Sequence, residues 1–389
     1  MPTPFRFIRF RVILLTLGLL AQGYLFVRFR ETVRDLPRDR FLRRLFWPAV
    51  VVLGLFFALN AYLLFQPVAW VDPPSLVQAF LLYPSAVWTF GAIFSALLLL
   101  IARLLGTIPR AVLRGGPTDR LSRRRFLQAG AAGLVTAPLA VSAYGAVVAS
   151  HKARLEEIHL PLGLPLRIVQ LTDIHAGLYM NREEMRGYAD RANALQPDLF
   201  VLTGDYITNS VAFLPECLEA MARVKARYGS FATYGNHEHW FTDINRVRPV
   251  FDRIGIPVLN NAHRVIRTDR GAFVLAGIDD LASGFPDLDR ALEGRDPTLP
   301  VILLSHHPEI FPDAARRGIR LTLSGHWHGG QVTLRLPGRT LSLAHMRTPY
   351  PEGLYRINTS HLYVSRGIGT TFTPVRLSAP PEITLFQLT

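Results

Sequence analysis

The sequence predicts an α/β fold: a four-layer α/β/β/α sandwich in its C-terminal part, preceded by transmembrane helices. Three observations predict it. Long apolar runs crowd into the first 150 residues. From Leu166 onward, short β-rich runs alternate with amphipathic stretches, and each run ends in a polar cluster. Beyond Gln331 the strands follow one another without helices between them.

The N-terminal unit, residues 1–150, holds about four hydrophobic helices, at 12–27, 45–65, 77–101 and 126–149. About 20 apolar residues suffice to cross a bilayer. The net charge of +14 is concentrated here, with 17 arginines, no lysine and five acidic residues, against 26 basic and 24 acidic groups in the rest. That distribution argues against a nucleic-acid partner, because the basic excess lies in loops between apolar runs rather than on a folded face. Segments 28–44 and 103–125 carry seven arginines each, whereas 66–75 carries none. Arginine-rich loops stay cytoplasmic, so everything after Ala149 is expected outside the cytoplasm, in a multi-pass protein of the inner membrane. Arg6, Arg9 and Arg11 run against that orientation and are outvoted by the two larger loops. Ser122-Arg123-Arg124-Arg125-Phe126-Leu127, opening the segment 122–149, resembles a twin-arginine export signal. The single cysteine, Cys217, permits no intrachain disulfide and reads as a buried, inert thiol.

The second unit, 160–389, is read in chain order. RIVQLT runs into DIH, DLFVLT into GDY, SFATY into GNHEHW, PVILLS into HHP, and RLTLS into GHWHGG. Apolar, β-branched runs bounded by Gly, Asp or Asn read as buried strands. The amphipathic stretches 182–195 and 214–227 between the early strands argue for βαβ units. VTLRL, GLYRI, HLYVS and EITLFQL then read as strands of a second sheet. Functional groups of open α/β sheets gather at the carboxyl ends of strands, and five successive ends here carry Asp, His or Asn.

Asp173 and His175 stand two apart at the end of a strand, so their side chains are expected to project the same way. Asp205 offers a carboxylate able to bridge two cations. Asn236 adds a hard neutral oxygen, His237 an imidazole free for proton chemistry, His306 another donor, and His326 and His328 a pair of imidazoles. Two carboxylates, one amide and four imidazoles suit two divalent cations of the Mn, Zn or Fe kind, without thiolate. His239 and Arg366 are weaker candidates for substrate contact. His307, flanking a proposed ligand as His239 does, is a candidate of the same kind, and Gln331, Tyr179, Trp240 and Phe241 are further weak ones.

Taken together, LTDIH, LTGDY, YGNHE, LLSHHPE, LSGHWHGGQ, VSRGIG and PEITLFQL resemble the calcineurin-like metallophosphoesterase family, in its membrane-associated or twin-arginine-exported YkuE/YaeI-like branch. The resemblance implies one cation on Asp173, His175, Asp205 and His328. It places a second on Asp205, Asn236, His306 and His326, with Asp205 bridging. It also implies His237 as the catalytic group at the leaving oxygen, oriented by a nearby carboxylate. Two such cations share a hydroxide that attacks phosphorus. The expected activity is metal-dependent hydrolysis of a phosphodiester or monoester, on a phospholipid or cell-envelope polymer at the lipid bilayer. The competing expectations are a nucleotide-lipid pyrophosphatase of the UDP-diacylglucosamine type, facing the cytoplasm, and a membrane sensor that binds metal or phosphate without turnover.

Overall fold

The computed structural model describes residues 4–34, 40–65, 73–106, 117–371 and 373–389. Segments 35–39, 66–72 and 107–116, where the two arginine-rich loops and the QPVAWVDPP loop expected from the sequence partly fall, lie outside the described residues.

Among the described residues, four long helices precede the sheets: Pro4–Arg34, Arg40–Phe65, Tyr83–Leu104 and Pro117–Val147. Among the described residues, three stretches are long and apolar enough to cross a membrane: Arg44–Leu63, Ser75–Leu104 and Ala132–His151. Helix Tyr83–Leu104 is the hub against which the other three pack. Its buried face is Ser85, Ala86, Gly91, Ala92, Ser95 and Ala96. Small residues four apart let backbones approach closely, the usual device where lipid removes the hydrophobic drive between helices. A Cβ at Gly91 would stand 3.1 Å from the Leu139 Cα. Ser95 Oγ donates to the Val135 carbonyl at 2.8 Å, and Trp88 Nε1 to Gln22 Oε1 at 3.1 Å.

Among the described residues, eleven strands form two large sheets. The first comprises β1 (Arg154–Leu160), β2 (Leu166–Leu171), β3 (Leu199–Thr203), β4 (Ser230–Thr233) and, late in the chain, β13 (Glu382–Leu388), in the order β1-β13-β2-β3-β4. The second comprises β5 (Ala262–Thr268), β6 (Gly271–Gly277), β7 (Val301–Leu304), β8 (Leu321–Ser324), β11 (Gly353–Ile357) and β12 (Ser360–Val364), in the order β11-β12-β8-β7-β6-β5. A separate hairpin is made by β9 (Leu334–Leu336) and β10 (Arg339–Leu341).

Period-2 alternation decides which face each residue takes. Ile168, Leu199, Val201, Phe273, Leu275, Ile302 and Leu304 point into the layer between the sheets. Their neighbours Val169, Phe200 and Leu202 face helices Arg182–Ala194 and Leu214–Met221 on the outside of the first sheet. Val274, Ala276, Val301 and Leu303 face outward on the second sheet, against Leu288, Ala291 and Ala314. The four-layer α/β/β/α expectation is met. Helix Arg182–Ala194 starts with a capping box, Asn181 Oδ1 accepting from Glu184 N while the Glu184 carboxylate accepts from Asn181 N. Helix Leu214–Met221 is shorter than the expected amphipathic stretch, and Cys217 is buried within it.

The tail departs from expectation. EITLFQL joins the first sheet, with β13 inserted between β1 (parallel) and β2 (antiparallel). VTLRL contributes only the small hairpin. Strand composition does not encode partners, so the misassignment was of pairing rather than of secondary structure.

The two units meet directly. Gly145 lies under Val375 and Leu377, where a Cβ would stand 2.7 Å from Val375 Cγ1, and its carbonyl accepts from Arg376 N at 3.2 Å. Tyr83 Oη is 3.1 Å from His151 Nε2, and Tyr179 Oη donates to the Leu82 carbonyl at 3.4 Å.

Candidate metal centre

The carboxyl ends of β2, β3 and β4 lie side by side in one sheet, and those of β7 and β8 in the other. The five polar clusters named above extend from these ends, and their side chains converge. Asp173, His175, Asp205, Asn236, His237, His306 and His328 are all buried.

Convergence does not come from strand alternation, as the spacing suggested. β2 ends at Leu171, and Asp173 (φ 51°) and His175 (φ 50°) lie beyond it in the left-handed region. Asp205 (56°), His326 (72°) and His328 (51°) share that conformation, so five of the ten described non-glycine residues with positive φ belong to this cluster. Each costs of order 1–3 kcal/mol and persists only where the surroundings over-determine it, a pattern typical of functional sites. Gly204 admits the close crossing of two loops: a Cβ there would stand 2.7 Å from the Gly235 backbone and from His306 Nδ1.

Two donor sets are visible. In the first, His175 Nε2 and His328 Nε2 are 3.1 Å apart, and His328 Nε2 is 3.3 Å from Asp173 Oδ1. In the second, His306 Nε2 is 3.2 Å from Asn236 Oδ1 and 3.2 Å from His326 Nδ1. Asp205 Oδ2 touches both, at 3.7 Å from His175 Nε2 and 3.2 Å from His306 Nε2. Ligand atoms bonded to one cation at about 2.0–2.2 Å stand a little over 3 Å apart, which is the spacing within these sets.

The electrostatics agree. Burial, then the His237 charge, lowers His175 to about 3, and burial holds His326 and His328 well below the ordinary imidazole value. These rings are neutral lone-pair donors. Burial raises Asp173 to about 6, helped by Asp205 and opposed by His306. Burial alone would lower His306, but Asp205, Asp173 and Asp280 outweigh it and lift the ring well above its ordinary value. The field at His306 Nε2 thus favours positive charge, whether a proton or a cation. Neutral nitrogens facing one another beside carboxylates fit divalent cations.

His237 sits at the rim of this cluster. Its Nδ1–H donates to the Thr208 carbonyl at 2.7 Å, leaving Nε2 turned inward, 3.8 Å from Asp205 Oδ2. A carbonyl, rather than the expected carboxylate, therefore orients the ring. The adjacent Glu238 braces the backbone instead. Its carboxylate accepts from Gly235 N, Asp205 N and Tyr206 N at 2.8–3.0 Å, tying two ligand loops together.

The match to the calcineurin-like phosphoesterase family model covers residues 166–330, which contain all seven candidate ligands and His237. The metallophosphoesterase YkuE of Bacillus subtilis (strain 168) is 31% identical over 284 residues, spanning 69% of this chain and 98% of that protein. The chain belongs to the calcineurin-like metallophosphoesterase family. A transmembrane protein with a metallophosphoesterase domain from Danio rerio is 34% identical over 278 residues, covering 67% of this chain. The chain spans only 62% of that relative's length. Three described stretches of this metallophosphoesterase are themselves long and apolar enough to cross a membrane, in keeping with the printed description of that relative.

The weaker candidates separate. His239 Nε2 pairs with Asp279 Oδ1 at 2.8 Å, and His307 Nδ1 lies 2.6 Å from Asp280 Oδ2. Arg366 does not join the metallophosphoesterase cluster. Its guanidinium is held by Glu156 at 2.6 Å, Glu382 at 3.1 Å and Glu352 at 3.6 Å. Gln331 is a structural cross-link, with Nε2 donating to the carbonyls of Thr371, Thr373 and Val375.

Sequence reasoning missed three acting residues. Asp279 and Asp280 follow β6 in GIDD, a sixth polar strand end of the kind already counted, so a signal existed. Arg376 gave none. It is fully buried, donates to the carbonyls of Arg366, Gly367, Gly369 and Ala379, and brings Nη2 to 3.1 Å from His328 Nδ1. Burial lowers it to about 10, so it stays a cation at neutral pH.

Proposed function

We propose that this chain is a multi-pass, membrane-tethered phosphodiesterase whose sheets stand on the extracytoplasmic side, acting on a phospholipid or cell-envelope phosphodiester. Asp173, His175, Asp205 and His328 would hold one divalent cation, and Asp205, Asn236, His306 and His326 a second. The carrying observation is Asp205 Oδ2, within 3.7 Å of His175 Nε2 and 3.2 Å of His306 Nε2, which joins the two donor sets through one oxygen. Bound there, Mn, Zn or Fe would lower the pKa of water toward neutrality and neutralise phosphoryl charge.

The chain's own residues supply the rest. Thr208 fixes the His237 tautomer, so Nε2 is the nitrogen offered to a departing oxygen. Burial lowers His237 while Asp205 raises it, which favours handing a proton on rather than keeping it. The Asp205 backbone is clamped by Glu238, so its carboxylate need not reorganise during reaction.

Two features support the orientation. The Tyr83–His151 and Tyr179–Leu82 contacts put one end of the helix bundle beside the sheets. In sequence, the arginine-rich stretches 28–44 and 103–125 include the far ends of these helices, and the positive-inside rule keeps such stretches cytoplasmic. Ser122-Arg123-Arg124-Arg125-Phe126-Leu127 is then read as a twin-arginine signal suited to a domain exported after folding.

The test is turnover of an aryl phosphodiester against its monoester by the full chain in detergent, loaded with Mn or Zn. Faster diester hydrolysis is expected. A metal-replete protein that cleaves neither ester would sink the reading.

A further inference from the structure

The segment between the metal loop and β11 is unlike the rest of the catalytic unit. Residues 331–351, QVTLRLPGRTLSLAHMRTPYP, contain three arginines and no acidic residue, although the unit as a whole is nearly balanced. It folds as the β9–β10 hairpin followed by the short helix Leu343–Arg347.

Register assigns its faces. Leu334 pairs with Leu341, and Leu336 with Arg339, so these four share one face; Arg335 and Thr340 share the other. The inner face covers a polar cavity of about 600 Å³, also lined by His345, Glu352 and Arg366. Arg335 is tied there to Glu352 at 2.6 Å. The outer face, three leucines and Arg339, is exposed. In the helix, Leu343 and Met346 are three apart on one side and are 68% and 79% exposed. Among the described residues, no carboxylate pairs with Arg339 or Arg347. Exposed leucines interleaved with arginine are the composition of an interfacial membrane contact.

Position favours the same partner. Thr333 N donates to the Leu377 carbonyl, and Leu377 N to the Gln331 carbonyl, each at 2.9 Å. Val375 and Leu377 in turn cover Gly145, near the end of the candidate span Ala132–His151. Only the segment 375–377 thus separates the start of the hairpin from the end of that candidate span.

We propose that residues 334–347 form a second membrane contact, in which Leu334, Leu336, Leu341, Leu343 and Met346 dock on an anionic lipid surface, with Arg339 and Arg347 meeting the phosphates. This stands on membrane association and on the segment's own faces, and it requires no particular substrate.

The full chain, reconstituted in phosphatidylglycerol vesicles, tests it. Leu343→Cys is labelled with an environment-sensitive fluorophore; Cys217 is buried and stays unlabelled. Arg270→Cys, in the β5–β6 turn at the opposite edge of the second sheet, is the control. Lipids spin-labelled near the headgroup should quench the label at 343 and spare the one at 270. In the Leu336→Asp/Met346→Asp background the quenching at 343 should be lost. Equal quenching at both positions, or none at 343, overturns the proposal. Self-cross-linking of Leu343→Cys without quenching overturns it too and assigns the face to a second copy of the chain.

Discussion

The two sheets contribute unlike halves of one cluster. The first supplies every carboxylate and the amide: Asp173, His175, Asp205, Asn236 and His237 follow β2, β3 and β4. The second supplies only imidazoles, His306, His326 and His328, after β7 and β8. Charge and rigidity come from the first side, where Glu238 binds three backbone N–H groups of the ligand loops. The second side is aimed by the first: His306 Nδ1–H donates to the Thr203 carbonyl at 2.7 Å, and His326 N–H reaches the Asp173 carboxylate at 3.1 Å. Neither sheet carries a complete donor set. A cation at this seam is therefore also a clamp between the sheets.

Replacing the shared carboxylate should break the arrangement most. On the proposed two-cation assignment, Asp205→Asn is expected to abolish turnover and deplete both cations, whereas His326→Ala should deplete one; elemental analysis of the purified variants decides. Identical depletion in the two variants would erase the distinction between bridge and single-set ligand. Next in size, His237→Ala should slow turnover by about 10²–10⁴-fold with metal content unchanged. Metal loss in that variant would make His237 a ligand instead.

Smaller effects concern the clamp itself. Chelation should lower the thermal midpoint of the full chain by roughly 5–10 °C, taking about 2.7 kcal/mol for ligand at 100 Kd and about 2–4 °C per kcal/mol. No shift on chelation would mean that the sheets are held together without metal. Glu238→Gln, which turns an amide NH2 toward backbone donors, should cost about 1–3 kcal/mol in unfolding experiments. The smallest effect is at the rim of the seam, where His239 from the first side meets Asp279 from the second. Burial lowers His239, but the Asp279 carboxylate outweighs it and raises the ring; burial raises Asp279, but His239 and the N–H groups of Phe285 and Asp280 lower it. The His239 contribution is complete below the ordinary imidazole pKa of 6.5 and is lost as pH rises through the folded value. The Asp279 contribution is complete above its ordinary 3.8 and is lost as pH falls through its folded value. An NMR titration of His239 should show a midpoint above 6.5 that drops in Asp279→Asn. An unchanged midpoint would remove Asp279 from that role.

The layered fold and the cluster's membership were legible because both are local in sequence. Apolar runs of period 2 mark buried strands, and a polar group at a strand's carboxyl end is visible without knowing its neighbours. What was hidden is what distant segments do to one another. The insertion of β13 beside β2, the Arg376 guanidinium against His328 and the Thr208 carbonyl behind His237 all join residues far apart in the chain. The left-handed backbone at Asp173 and His175 was hidden for another reason, since Asp and His take positive φ in only a small minority of cases. Asp279 and Asp280 were readable and overlooked.

The place of β13 governs when the fold can close. β1 and β2 do not pair with each other; each hydrogen-bonds to residues 382–388, which leave the ribosome more than 200 residues later. At about 5–20 residues per second, the newborn chain presents two unsatisfied strand edges for roughly 10–40 s. No step that requires a finished first sheet can begin until residues 382–388 slide in between β1 and β2.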